Sequence, residues 1–313
     1  MNNRHRQLIN VSLVTLIVVC FVIYLRDIDY EQMRGFRPSP WWLGSATMVA
    51  LLFRYLGVAI WCRILLDLGA RSMPRFRVLA AIYAKAWMGR YVPGKVTWIA
   101  GKIYLAGSIG ISRSRLAVAS TLEAVVQITA TITVSLLLVG FDVRTSVIPT
   151  SVKLLLVALA IALLALLHPR LFNPAIQLVF RKMAGRAHHA ELSSNLRSVY
   201  SSFALYSVGA LISGTSYYLL TCSAVDDLGW QLFLYIVGAY SFAGAVGMAV
   251  PLLPSGLGVR DGAQLVLLSA VFPKETALVL VVYSRLWSSL VDVLFYLVAS
   301  AMDPKPANSA TAG

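Results

Sequence analysis

WWLGSATMVALLFRYLGVAIWCRILL, the stretch from Trp41 to Leu66, decides the fold. It exceeds the roughly 20 residues a helix needs to cross a hydrocarbon core about 30 Å thick. Its opening Trp pair suits the membrane interface, and Arg54 lies deep inside it. Outward from it lie runs of the same kind at Leu8–Leu25, Leu116–Gly140, Val147–Leu167, Tyr200–Val225 and Thr276–Ala301. Of the 313 residues, 58% are hydrophobic and 13% charged, against roughly 45–50% and about 25% in soluble domains. A soluble fold cannot bury that much apolar surface. The reading is an all-α polytopic integral membrane protein with about six full transmembrane helices.

Leu8–Leu25 follows Arg4, His5 and Arg6, as a secretory signal would, but no small-residue cleavage site follows. Arg26, Asp27 and Asp29 come at once, which marks a retained first helix. Residues 1–40 are thus a first helix with an outer loop, and 41–167 a first membrane repeat. Residues 168–198 are a basic cytoplasmic loop, 199–302 a second membrane repeat, and 303–313 a disordered tail rich in Pro, Ala and Ser.

Two further apolar stretches are interrupted. Phe76–Ile111 breaks at Pro93-Gly94, and Trp230–Phe272 at Pro251, Pro254, Gly256 and Gly258. Proline removes a donor from the helical ladder, and irregular backbone at membrane depth persists only inside protein or beside a polar cavity. Both are read as re-entrant segments that point to a site.

Lys and Arg in short loops favour the cytoplasmic side. Arg4 and Arg6, then Arg63, Arg71, Arg75 and Arg77, then Arg113 and Arg115, and finally Arg170, Arg181, Lys182, Arg186 and Arg197 all fall on one side. This holds if the chain starts inside and each broken segment returns to its side of entry. Both termini are then cytoplasmic, in an inner membrane, and Asp226-Asp227 face outward. The two repeats become inverted copies. Spacing agrees, since Glu123 lies about thirty residues after Pro93 and Arg285 about as far after Pro254. Inverted repeats whose broken helices meet near the midplane form a transporter architecture.

Charges at membrane depth cost at least about 2.5–3.5 kcal/mol on insertion scales and are kept for a partner or a substrate. The set read from sequence is Arg54, Lys85, Arg90, Lys95, Glu123, Arg260, Asp261, Arg285 and Asp292, in which cations outnumber anions. Arg90 and Lys95 around the first break, and Arg260 beside Asp261 around the second, are candidates to line a cleft for an anionic lipid headgroup. Guanidinium forks fit phosphate, and backbone amides freed near Pro93, Gly94, Pro254, Gly256 and Gly258 add donors. Glu123, Arg285, Asp292 and Arg54 form a candidate buried charge network. The competing structural reading pairs Glu123 with Arg285 and Asp261 with Arg260. Lys85 has a stem long enough to reach the interface.

The segment Gly89-Arg90-Tyr91-Val92-Pro93-Gly94-Lys95-Val96-Thr97-Trp98, together with Pro254-Ser255-Gly256-Leu257-Gly258-Val259-Arg260-Asp261-Gly262, resembles the flippase-like membrane proteins. That family includes the transmembrane region of lysylphosphatidylglycerol synthases, the multiple peptide resistance factors. The resemblance spans roughly Trp41 to Ala301, and Glu123 fits it. Ser255 stands where the family often has Gly, Asp261 where it has Glu, and Ala124 where it has Arg. The synthases carry a cytosolic aminoacyl-transfer domain after the membrane region; here the sequence ends soon after the last helix. The chain is therefore not expected to make aminoacylated lipid.

Other signals are bland. His188, His189 and Glu191 lie in a basic loop without further ligands, so no metal is expected, nor any other cofactor. Cys20, Cys62 and Cys222 fall in or beside apolar helices and behave as small hydrophobes. Gly209, Ser213 and Gly214 suit close helix packing. The net charge of +14 reflects cytoplasmic loops attracted to anionic headgroups, and nucleic acid is not expected as a partner. Without a Ser/His, Cys/His, paired-Asp or metal constellation, no enzyme is expected. Two functions fit: a flippase or transporter of an anionic lipid, or a scaffold or accessory subunit for a lipid-modifying or glycan-assembly enzyme. The oligomeric state has no signature in the sequence.

Overall fold

The computed structural model describes residues 37–70, 73–91, 96–141, 150–168, 170, 174, 196–249 and 258–302. Leu8–Leu25, Cys20, Pro93, Gly94, Lys95, His188, His189, Glu191, Pro251, Pro254, Gly256 and the 303–313 tail lie outside them. The described residues form nine α-helices and no strand.

Helix α1 (Pro40–Asp67) starts on Pro40, whose fixed φ suits a first helical position. It ends where Gly69 takes φ 79°. The Gly69 and Ala70 N–H groups then close on the Leu66 and Leu65 carbonyls at 2.9 and 3.1 Å, a glycine stop that satisfies the last orphan acceptors. Helix α2 (Phe76–Met88) runs into a 3-10 turn (Gly89–Tyr91), and α3 (Val96–Gly107) resumes beyond the first break. Next come α4 (Arg113–Phe141), α5 (Thr150–Leu166) and α6 (Leu196–Ala224). Helix α7 (Phe233–Ala249) follows a 3-10 turn at Trp230–Leu232, and α8 (Val259–Leu268) and α9 (Lys274–Ala301) complete the bundle.

Five stretches are long and apolar enough to cross a membrane: Pro40–Asp67, Arg113–Gly140, Leu196–Ala224, Trp230–Met248 and Lys274–Ala301. A 28-residue helix such as α1 is about 42 Å long at 1.5 Å per residue. The protein is multi-pass. Four of the five coincide with spans read from the sequence. The fifth, Trp230–Met248, is the first part of the stretch Trp230–Phe272. In the first interrupted stretch α2 and α3 have 13 and 12 residues. In the second, Trp230–Met248 reaches crossing length and α8 has 10 residues. Helix α5 has 17 residues, just under the roughly 18 a span requires.

The outer surface is apolar, as a lipid-facing surface must be. Met48, Leu155, Ile161, Val266 and Leu290 are more than half exposed. Inside, one cluster gathers Trp61, Tyr83, Leu122, Tyr206 and Phe295, and another Tyr217, Val237, Leu280 and Trp287.

Helix packing shows an internal symmetry. Exchanging α1, α2, α3 and α4 for α6, α7, α8 and α9 maps the main packing pairs onto one another. Thus α4 on α7 answers α9 on α2, α4 on α6 answers α9 on α1, and α2 on α3 answers α7 on α8. Helices α1 and α6 pack on each other at the centre, and α5, between the two sets, rests on α4. Such correspondence is what two copies of one packing unit would give, and it agrees with the repeat read from the Pro/Gly spacing.

Candidate functional site

A cavity of about 310 Å³ lies among the helices, and all eight helices of the two sets contribute to its wall. Arg54 enters from α1, Arg90 from the turn after α2, and Arg260 from the first turn of α8. Among the described residues no carboxylate lines it. Trp87, Trp98 and Met248 give the wall apolar character, while Gln127 of α4 and Ser213 of α6 add neutral polar groups.

Two of the arginines are anchored from behind by one acid. Asp292 on α9 is fully buried. Its Oδ1 accepts from Arg54 Nη2 at 2.7 Å, Arg54 Nε at 2.9 Å and Trp87 Nε1 at 3.2 Å. Its Oδ2 accepts from Tyr91 Oη at 2.6 Å and faces Arg90 Nη1 at 3.4 Å. Arg54 Nη1 donates to the Ala50 carbonyl at 3.0 Å. The Arg90 guanidinium also lies 4.9 Å from the Trp87 ring centre and 5.4 Å from that of Tyr91. Arg54 and Arg90 thus both face Asp292, and both line the cavity.

Arg260 differs. It is 7% exposed, and among the described residues it meets no carboxylate. Its Nη2 donates to Tyr240 Oη at 2.9 Å, its guanidinium lies 5.0 Å from that ring's centre, and its Nε has no hydrogen-bond partner. Tyr240 stacks on Tyr217 at 4.3 Å between centroids, which fixes the ring. An unsatisfied buried charged donor carries a heavy desolvation cost. Its orientation toward a cavity identifies where an anion would offset that cost.

Two further ion pairs lie away from the cavity lining. Glu123 on α4 and Lys102 on α3 are both fully buried and meet at 2.6 Å. Tyr83 and Tyr206 donate to the other Glu123 oxygen at 2.8 and 3.1 Å. Lys102 Nζ lies 3.7 Å from the Tyr83 ring centre, 4.7 Å from Trp98 and 5.1 Å from Trp61. In the other half Asp261 on α8 faces Arg285 on α9 at 3.7 Å and accepts the Gly258 N–H at 3.2 Å, capping its own helix. Each short helix after a break is therefore tied to the following long helix by an ion pair, with the signs reversed between halves.

These contacts correct the pairings expected from sequence. Glu123 pairs with Lys102, not Arg285, and Arg285 pairs with Asp261. Adjacent helical residues point about 100° apart, so Asp261 turns toward α9 while Arg260 turns toward α7 and the cavity. Asp261 does not line the cavity, and neither do Glu123, Arg285 or Asp292. Gly258 serves as the N-cap of α8. Lys85 is half-buried in α2.

Residues 7–296 match the family described as Lysylphosphatidylglycerol synthase TM region. The chain belongs to that family. Among curated proteins, none matches it. Membership in the synthase transmembrane family agrees with the motifs around Arg90 and Arg260, whose side chains reach the same cavity from opposite halves. Ala124, where the family often has Arg, also lines the cavity. The wall there presents a methyl group instead of a fourth guanidinium. Lys102, Gln127 and Tyr240 do not emerge from the sequence reading. Lys102 carries a usable signal, a cation in the apolar run Val96–Gly107. Gln127 and Tyr240 carry none, because a single amide or phenol on a long helix is commonplace.

Proposed function

We propose that this protein moves a lipid with an anionic phosphate headgroup across the inner membrane, with both termini cytoplasmic, and makes no covalent change to it. The observation that carries this reading is the cavity lined by Arg54, Arg90 and Arg260 and, among the described residues, by no carboxylate. Its volume is near the lower end of small-molecule sites, roughly 300–1,000 Å³. That suits a headgroup while the acyl chains stay in lipid. Guanidinium groups bind phosphate through charge-assisted, often bidentate hydrogen bonds. The site draws on both helix sets, as expected where a transporter alternates access around a central site.

The test is reconstitution of the purified protein into vesicles holding fluorescent phosphatidylglycerol or phosphatidylcholine, with bleaching of the outer leaflet. Loss of signal beyond the outer-leaflet half, faster for phosphatidylglycerol than for phosphatidylcholine, is expected. Vesicles that behave as empty ones would favour a scaffold for a lipid-modifying or glycan-assembly enzyme.

A further inference from the structure

We infer that Gln264 is a positioning residue for Arg260, joined to it by one buried water that accepts from Arg260 Nε and donates to Gln264 Oε1. This deepens the lipid-transport reading and rests on it. Both residues lie on α8, four positions apart, where side chains are neighbours on one helix face. Gln264 is 1% exposed and does not line the cavity. Each residue has one buried atom without a hydrogen-bond partner: the donor Arg260 Nε and the acceptor Gln264 Oε1.

A stacked pair of tyrosines brackets the two side chains. Arg260 Nη2 donates to Tyr240 Oη at 2.9 Å, and Gln264 Nε2 donates to Tyr217 Oη at 2.8 Å. The two rings lie 4.3 Å apart between centroids and 8° from parallel. Their hydroxyls therefore receive bonds from successive turns of α8. The amide has one orientation. Ser284 Oγ gives its proton to the Val281 carbonyl at 2.8 Å, so toward Gln264 it can only accept, and Gln264 Nε2 stands 3.1 Å away. The amide nitrogen thus faces Tyr217 and Ser284, and the carbonyl oxygen is left for another donor.

Buried donors and acceptors without partners are costly. Here one of each lies on the same helix face, and a single water satisfies both. A buried water typically makes about three hydrogen bonds. Arg260 Nε and Gln264 Oε1 supply two of them. Each tyrosine hydroxyl accepts one bond and so keeps a proton that can supply the third. Because Arg260 Nε is sealed within the wall, an anion in the cavity meets the other N–H groups of the guanidinium. The water fixes the plane in which those groups are presented.

The experiment uses the full-length chain in detergent. It reads the melting temperature and, by thermal-shift titration, the affinity for phosphatidylglycerol. Gln264→Glu sets a carboxylate one turn from Arg260, close enough to capture the guanidinium, and Tyr217 can turn its proton toward it. The melting temperature is expected to hold or rise. Affinity for phosphatidylglycerol should fall about tenfold or more, the scale of one charge-assisted hydrogen bond. In an Arg260→Gln background the same substitution should lower the melting temperature, because the new charge has no partner. A loss of stability from Gln264→Glu that is the same with and without Arg260 would overturn the contact. Unchanged affinity in a stable Gln264→Glu variant would overturn the positioning role. Tyr217→Phe decides the matter if Gln264→Glu does not fold, since it keeps the ring stack and releases the amide. It should weaken phosphatidylglycerol binding severalfold, and binding at the wild-type level would overturn the proposal. Wild-type protein that binds no phosphatidylglycerol would overturn the transport reading, while the melting-temperature comparison would still decide the contact.

Discussion

Lys102 and Glu123 meet at 2.6 Å with neither side chain exposed, and two tyrosine hydroxyls complete the carboxylate's hydrogen bonds. Such a pair holds α3 and α4 in register as long as both members are present. Removing one strands a charge, which costs about 3–5 kcal/mol, whereas replacing both by apolar residues is often neutral. Lys102→Met or Glu123→Leu alone should therefore lower thermal stability in detergent sharply. The double variant should recover most of the loss and transport normally per folded molecule. Transport abolished in a stable double variant would give this pair a role in moving substrate.

Asp292 supports the cavity from behind. Asp292→Asn removes the charge that Arg54 and Arg90 share, and a cost of about 3–5 kcal/mol is expected. Asp292→Asn combined with Arg54→Met should be more stable than Asp292→Asn alone, because one stranded guanidinium is gone. Melting temperatures of the single and double variants check this, and a further loss in the double variant would contradict it.

Two glycines separate packing from site geometry. A Cβ on Gly214 would lie 2.5 Å from Val237 Cγ1 and 2.9 Å from Val237 Cα, between α6 and α7. A Cβ on Gly247 would lie 2.8 Å from the Cβ of Arg260. Each alanine should cost about 1–3 kcal/mol by overpacking. Gly247→Ala should also reduce lipid transport per folded molecule severalfold, because it displaces the arginine that meets the phosphate. Gly214→Ala should reduce stability first. Equal transport for the two folded variants would argue against Arg260 as the anchor.

The loop from 168 to 198 is expected on the cytoplasmic side. In a variant lacking the native cysteines, a single cysteine at position 188 should react with an impermeant thiol reagent only in inverted membrane vesicles. Labelling in intact spheroplasts would reverse the orientation.

The sequence made the membrane-spanning helices legible because their signal is length and apolarity, which need no knowledge of neighbours. The two breaks read from Pro93-Gly94 and from Pro251 to Gly256 fall on residues outside the described ones. Pairings were not legible. Glu123 and Arg285 are both deep and opposite in charge, but which partner each meets depends on helix rotation and on which helices pack together. A step of one residue, from Asp261 to Arg260, exchanges a structural ion pair for a cavity wall. Within Trp230–Phe272 the first nineteen residues are long and apolar enough to cross, a length that treating the stretch as one broken unit does not bring out.

Arg260 carries the central claim, and Arg260→Gln tests it most directly. In reconstituted vesicles matched for folded protein, the substitution is expected to slow phosphatidylglycerol movement about tenfold or more, the scale of one charge-assisted hydrogen bond. It should hold or raise the melting temperature, since it removes an unpaired buried charge. Arg260→Gln protein that transports phosphatidylglycerol at the wild-type rate, or that loses stability as a broken ion pair would, contradicts the account.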